Sequence, residues 1–140
     1  MGPFELRTLK GLVLSGCTDI MGYEALDFYD VDSLLTDEER MIRDAVRDWV
    51  DESVIPKIEN ACRDGVFLDE WRQEIGSMGI LGAPLKGYGC PGLSYTAYGV
   101  ICRELERGDS GIRSFASVQG SLAMYPIWDF GSEDQKEKYL

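Results

Sequence analysis

The chain has 140 residues, a formal charge of −11 and no histidine. That is one ordinary domain, with enough apolar residues for a core and no block of lysine or arginine to hold a nucleic-acid backbone or an anionic membrane surface. The missing imidazole rules out Ser-His-Asp and Cys-His nucleophiles and every histidine-based metal site.

Four cysteines, Cys17, Cys62, Cys90 and Cys102, are scattered without a C-x-x-C pair. This pattern predicts buried or incidental thiols in a reducing compartment, the cytoplasm, rather than a zinc site or disulfide framework. Near the start, "LSGC" at residues 14–17 has the small-residue ending of an export signal. The apolar stretch before it is too short, and Glu5 interrupts the basic start. Residues 1–27 are therefore expected to be a disordered extension, with Met21 an alternative start. The domain proper is expected over 28–140, and no run approaches the length of a membrane span.

From Tyr29 onward the pattern is helical. "TDEER" places Thr36 as N-cap and Glu39 at N3, a capping box whose further acids suit the helix dipole. Ile42, Ala45, Val46, Trp49, Val50 and Val54 then recur at steps of three and four, one apolar stripe that predicts a helix laid on a core. Pro56 is expected to kink or end it, although Ile58, Ala61 and Cys62 carry the spacing into a second short piece. Asp69 opens another short helix with Trp71, Ile75 and Met78 on one side and Gly79 as its C-terminal glycine.

"ILGAPLKGYGCPGLS" is dense in glycine and proline and reads as a loop. Within it Gly87–Gly92 matches G-x-G-x-x-G. The dinucleotide fingerprint needs a strand before it and a helix directly after, and here a helix precedes and Pro91 stiffens the turn. Glycines there still leave room for a ligand beside the backbone. Ser94 caps a longer helix carrying Ala97, Tyr98, Ile101, Cys102 and Leu105, and Gly108 ends it. Asp109 or Ser110 caps the next, expected to run to Tyr125 before Pro126. "GSEDQKEKYL" begins a last helix with Ser132 as N-cap and Gln135 three residues on, and a helix starting where the sequence stops predicts a truncated chain. No segment alternates with period two, so strands are not expected and the fold class is all-α.

The chemistry concentrates in "SGIRSFASVQG", residues 110–120. Arg113 sits in a run that otherwise reads as a buried helix face, and a buried guanidinium requires an anionic partner. Arg113 and Ser117, four apart, share a face, with Ser114 beside them. A guanidinium with a hydroxyl one turn away can grip a ligand carboxylate, the arginine donating a bidentate pair. Alternatively Glu104 or Glu106, on the preceding helix, pairs with Arg113 and its role is structural.

Two longer stretches narrow the choice. "RELERGDSGIRSFASVQGSLAMYPI" and "GSEDQKEKYL", together with "DFYDVDSLLTDEER", "IPKIENACRDGVF" and "MGILGAPLKGYGCPGLS", resemble the amino-terminal helical domain of acyl-CoA dehydrogenases. The R-S-x-x-S-V-Q run resembles the glutaryl-CoA dehydrogenase branch. The resemblance implies FAD-dependent oxidation of an acyl-CoA and, in that branch, loss of carbon dioxide from glutaryl-CoA to give crotonyl-CoA. It implies that Arg113 and Ser117 hold the distal carboxylate, with Ser114 and Glu106 in the same polar network. It further implies an electron-transfer flavoprotein as acceptor and a homo-oligomer. The catalytic base and most of the FAD site belong to parts of the family enzyme beyond these 140 residues, so no catalytic residue is expected in this chain. A dehydrogenase for another short acyl-CoA, or a non-catalytic helical interaction module, are the competing readings.

Overall fold

A computed structural model of the chain describes residues 28–140. The expectations for "LSGC" and the first 27 residues fall outside the described part. The chain divides into two units, Met1–Leu34 and Leu35–Leu140. The described part of the first contains a single 3₁₀ turn, Val31–Leu34.

The second unit is helical. Its elements are α1 (Asp37–Trp49), α2 (Ile55–Asp64), α3 (Asp69–Ser77), a two-stranded hairpin of β1 (Lys86–Gly87) and β2 (Cys90–Pro91), α4 (Tyr95–Gly108), α5 (Ser110–Ser117), α6 (Tyr125–Phe130) and α7 (Glu133–Tyr139). α1 begins on the expected capping box: Glu39 N–H donates to Thr36 Oγ1 and Thr36 N–H to Glu39 Oε2. The Ser94 hydroxyl, itself the cap of α4, donates to the other Glu39 oxygen at 2.7 Å. One carboxylate thus ties the starts of α1 and α4 together, and the Thr36 backbone N–H and Ser94 hold it below the usual carboxylate range. Further along, Arg47 of α1 meets Glu104 of α4. Contacts that advance together on both helices mean that α1 and α4 run in the same sense.

The helix does not end before Pro126 as the sequence predicted, and at Pro56 it continues into a second short piece, α2, as the spacing of Ile58, Ala61 and Cys62 indicated. A π-helical segment, Val50–Val54, joins α1 to α2, and a second, Val118–Met124, joins α5 to α6. Pro56 and Pro126 each stand just beyond these segments, in the first turn of the helix that follows. Proline lacks an N–H and its ring collides with the carbonyl four residues back, so widening the preceding turn lets the helix pass through it. The wider turn is also served from outside, since the buried Trp71 indole N–H donates to Ser53 O at 3.1 Å.

The core gathers Val46, Val50, Val54, Trp71, Ile75, Ile80, Ile101, Leu105, Ile112 and Ala116. Phe67 stands edge-on to Trp71, with centroids 5.6 Å apart, and packs against Phe115. Burying such side chains contributes roughly 1.5–3 kcal/mol each relative to exposure, which stabilises short helices that would be marginal alone. Three members of the predicted stripes, Ala45, Cys62 and Met78, are exposed. Ala45 and Cys62 sit at the margin of their stripes, and Met78 lies past the last turn of α3, where Gly79 takes a left-handed φ of +72° and turns the chain.

Among the described residues the hairpin is the one departure from the strand-free expectation. Lys86 pairs with Pro91 and Gly87 with Cys90, closed by Tyr88 and Gly89, both at positive φ, as the tight hairpin turn requires. Two-residue strands are too short to show alternation, so sequence periodicity is blind to them. Trp128 Nε1 donates to Lys86 O at 2.8 Å and the Tyr88 hydroxyl to Glu133 Oε2 at 2.7 Å, anchoring the hairpin to α6 and α7. Behind it, a Cβ on Gly120 would come within 2.6 Å of Leu81 O, so the loop lies directly on the second π segment.

Candidate functional site: an arginine row between α4 and α5

Asp109 makes the sharp turn that creates the site. Its extended backbone ends α4, and its side chain accepts from Ile112 N–H to cap α5. Asp109, rather than Ser110, is therefore the cap. Ser110 instead donates to Glu106 Oε1. The two helices fold back on each other as a hairpin.

On this hairpin Arg113 Nε donates to Glu106 Oε2 at 2.7 Å and Arg113 Nη1 to Ser117 Oγ at 3.3 Å. The Ser117 hydroxyl donates in turn to the Ser114 carbonyl at 3.1 Å. Structure thus selects Glu106 as the partner and excludes Glu104. Ser114 joins through its main chain. Arg113 and Ser117 share a helix face as their spacing required. The expectation of a buried guanidinium is corrected, because the Arg113 side chain is 36% exposed and Glu106 46%. Asp109 places Arg113 one turn into α5, at the rim of the hairpin where solvent reaches the guanidinium.

Charge in the row is mutually reinforcing. Arg113 and then Ser110 hold the Glu106 carboxyl below its usual range, and Glu106 raises Arg113 further. Glu106 approaches the guanidinium through Nε, which leaves the edge formed by Nη1 and Nη2, beside the Ser117 hydroxyl, as the face for a second carboxylate.

Glu104, two residues away, is entirely different. It is 1% exposed and receives Arg47 Nε and Nη2 at 3.0 and 2.9 Å, Arg103 at 3.2 Å and Arg107 at 3.2 Å. Burial pushes its carboxyl up, and the Arg47 and other guanidinium contacts outweigh that, leaving it lowered. Arg107 also reaches Asp51 at 2.7 Å. This cluster holds α1 to α4.

Two residues were missed as members of the row. Tyr98 and Cys102 read as part of α4's apolar stripe, yet both lie within electrostatic reach of the Arg113 guanidinium. Burial pushes the Cys102 thiol up. The signal was available as arithmetic: Tyr98, Cys102 and Glu106 recur every four residues on α4, opposite Arg113, Ser117 and Ser121 beyond the tight turn.

The glycine-rich match at Gly87–Gly92 is the hairpin turn described above, its backbone paired with itself rather than opening into a helix, so this segment is no pyrophosphate cradle of the dinucleotide type. Gly89, Cys90 and Pro91 do border a cleft of about 270 Å³ with Leu81, Gln119 and Met124, separate from Arg113. Among the described residues there is no cluster able to hold a metal ion, and no helix is long and apolar enough to cross a membrane.

The family described as "Acyl-CoA dehydrogenase, N-terminal domain" matches residues 36–140, and the chain belongs to the acyl-CoA dehydrogenase family. Among solved structures it is similar to a glutaryl-CoA dehydrogenase from Mycobacterium smegmatis in complex with FADH2, with a TM-score of 0.78 and 46% identity over 81% of this chain and 30% of that one. A structure described as the electron transferring flavoprotein of Acidaminococcus fermentans gives a TM-score of 0.72 at 29% identity, covering 82% and 29%. The short-chain specific acyl-CoA dehydrogenase of Megasphaera elsdenii is 32% identical over 79% of this chain and 30% of its own length. The chain therefore spans less than a third of the proteins it matches.

Proposed function

We propose that this domain supplies the carboxylate-recognition end of the acyl pocket in an FAD-dependent acyl-CoA dehydrogenase that converts glutaryl-CoA to crotonyl-CoA and carbon dioxide. The observation that carries the reading is the Arg113–Ser117 pair on one helix face, with Glu106 engaging the guanidinium through Nε alone. The 46% identity to a glutaryl-CoA dehydrogenase supports the same substrate. Arg113 binds the distal carboxylate through its two terminal nitrogens, the Ser117 hydroxyl turns its one proton from the Ser114 carbonyl to that carboxylate, and Glu106 keeps the guanidinium aimed. FAD, when bound, accepts the electrons of the oxidation. The Gly87–Gly92 hairpin is not a cradle for its pyrophosphate, and the FAD site and the base that removes the α-proton are assigned to other parts of the enzyme.

In this reading residues 28–140 form the domain and residues 1–27 an extension. An electron-transfer flavoprotein is the acceptor, the whole enzyme is a homo-oligomer, and the cytoplasm is its location. A second reading, oxidation of a short neutral acyl-CoA with Arg113 held permanently by Glu106, draws on the same 2.7 Å pair.

One substitution separates the two. In the flavin-loaded enzyme carrying this domain, Arg113→Ala is expected to lower kcat/KM for glutaryl-CoA by on the order of a hundredfold while leaving butyryl-CoA oxidation nearly intact. Equal losses on both thioesters would assign Arg113 to structure and sink the glutaryl reading.

A further inference from the structure

The α4 row does not stop at Glu106. Cys102 lies one turn back and Tyr98 one turn further, beside Ser121 of the facing π segment. Beyond Tyr98 the surroundings change character. An apolar cavity of about 160 Å³ is bordered by Leu85, Tyr95, Tyr98, Gly120, Ser121 and Tyr125. Along the α4–α5 hairpin Tyr98 stands between the Arg113–Glu106 pair, two turns nearer the tight turn, and this cavity, of which its ring forms a wall.

Its position is fixed from several directions. Tyr98 N–H donates to Ser94 O within the helix, the half-buried ring packs against the core, and Ser121 of the π segment borders the cavity beside it. The cavity's far wall is equally rigid, because Gly120 lies against Leu81 O too closely to admit even a methyl group. A fixed aromatic ring between a carboxylate-binding arginine and an apolar space is a spacer, and the distance it enforces is a chain length.

We propose that Tyr98 is the specificity-determining residue that limits how long a dicarboxylyl chain this pocket accepts, its ring partitioning the Arg113 carboxylate row from the apolar cavity lined by Leu85, Gly120 and Tyr125. This rests on the dicarboxylate reading of Arg113. Removing the ring extends the cavity toward the Arg113 row and adds room for further methylene groups. One methylene in a fitted apolar pocket is worth about 10–200-fold in discrimination, so the effect is measurable.

The test compares kcat/KM for glutaryl-CoA, its six-carbon dicarboxylyl homologue and butyryl-CoA in the flavin-loaded enzyme. Tyr98→Ala is expected to raise the six-carbon to five-carbon ratio by about tenfold or more, chiefly through KM. Tyr98→Phe, which keeps the ring, is expected to retain the wild-type ratio. A Tyr98→Ala protein that loses glutaryl activity with an unchanged ratio overturns the proposal, because a merely structural residue would depress all three substrates alike. If Tyr98→Ala fails to fold, Tyr98→Leu decides by the same ratio, a rise supporting the partition and no change overturning it. A wild-type enzyme that does not prefer glutaryl-CoA over butyryl-CoA refutes the dicarboxylate reading itself and the partition with it. A wild-type preference beside an unmoved Tyr98→Ala ratio refutes the partition alone.

Discussion

Glu104 and Glu106 are two residues apart on one helix and serve opposite ends. Glu104 is buried under three guanidinium groups, whereas Glu106 shares one guanidinium at the surface with a serine hydroxyl. Helical geometry alone separates them: two residues turn the side chain about 200°, so one carboxylate points toward α1 and the other toward α5. The saturated cluster has no remaining capacity for a ligand and fixes the position of α4. The unsaturated one can exchange partners, which is what a binding site requires. A charged residue's role is read from how completely its partners are already satisfied.

The largest expected effect that would break this contrast falls on the buried cluster. Glu104→Ala should destabilise the domain by about 2–3 kcal/mol, below the full cost of breaking a buried pair because solvent reaches all three arginines. Urea denaturation measures it, and a loss no larger than that of an exposed ion pair would remove Glu104 from the fold's framework. Next comes the pH dependence. Glu104 is held below its ordinary value of 4.5 in the folded chain, so its contribution is complete above that value and is lost as pH falls through the lowered one. Acid unfolding of Glu104→Gln should accordingly be flatter than wild type over that interval, and parallel curves would contradict the assignment. Smallest in stability terms is Glu106→Ala, since exposed ion pairs contribute little. Its Tm should be essentially that of wild type. Its effect should appear instead as a severalfold higher KM for glutaryl-CoA with kcat retained, because the guanidinium is no longer aimed. A fall in Tm comparable to that of Glu104→Ala would erase the distinction between the clusters.

Local signals were the legible ones. Thr36, Ser94 and Ser132 act as caps because capping is decided within four residues, and the stripe through Val46, Val50 and Val54 identified the core face. Both π segments escaped notice, since hydrophobic periodicity near Pro56 or Pro126 looks much the same whether the helix stops or widens. The Arg113–Ser117 face was legible from spacing, but its partner was not: Glu104 and Glu106 are equally close in sequence, and only the phase of α4 against α5 selects Glu106. Tyr98 and Cys102 were hidden for a related reason. Half-apolar side chains on an amphipathic helix are assigned to the core until the facing helix shows what they meet.

The π segment at Val118–Met124 has a consequence for how this stretch can change by insertion or deletion. A widened turn accommodates roughly one residue beyond α-helical count, so it works as a phase adjuster between Arg113 and Ser117 on one side and Tyr125 and Trp128 on the other. Deleting a single codon there would let the turn close to α-helical count with the downstream helix kept in phase, whereas the same deletion within α5 would rotate everything downstream by about 100°. Trp128 would swing away from Lys86, and the anchored hairpin would come loose without any contact residue having been altered. The residue count of this helix is therefore constrained as tightly as its composition.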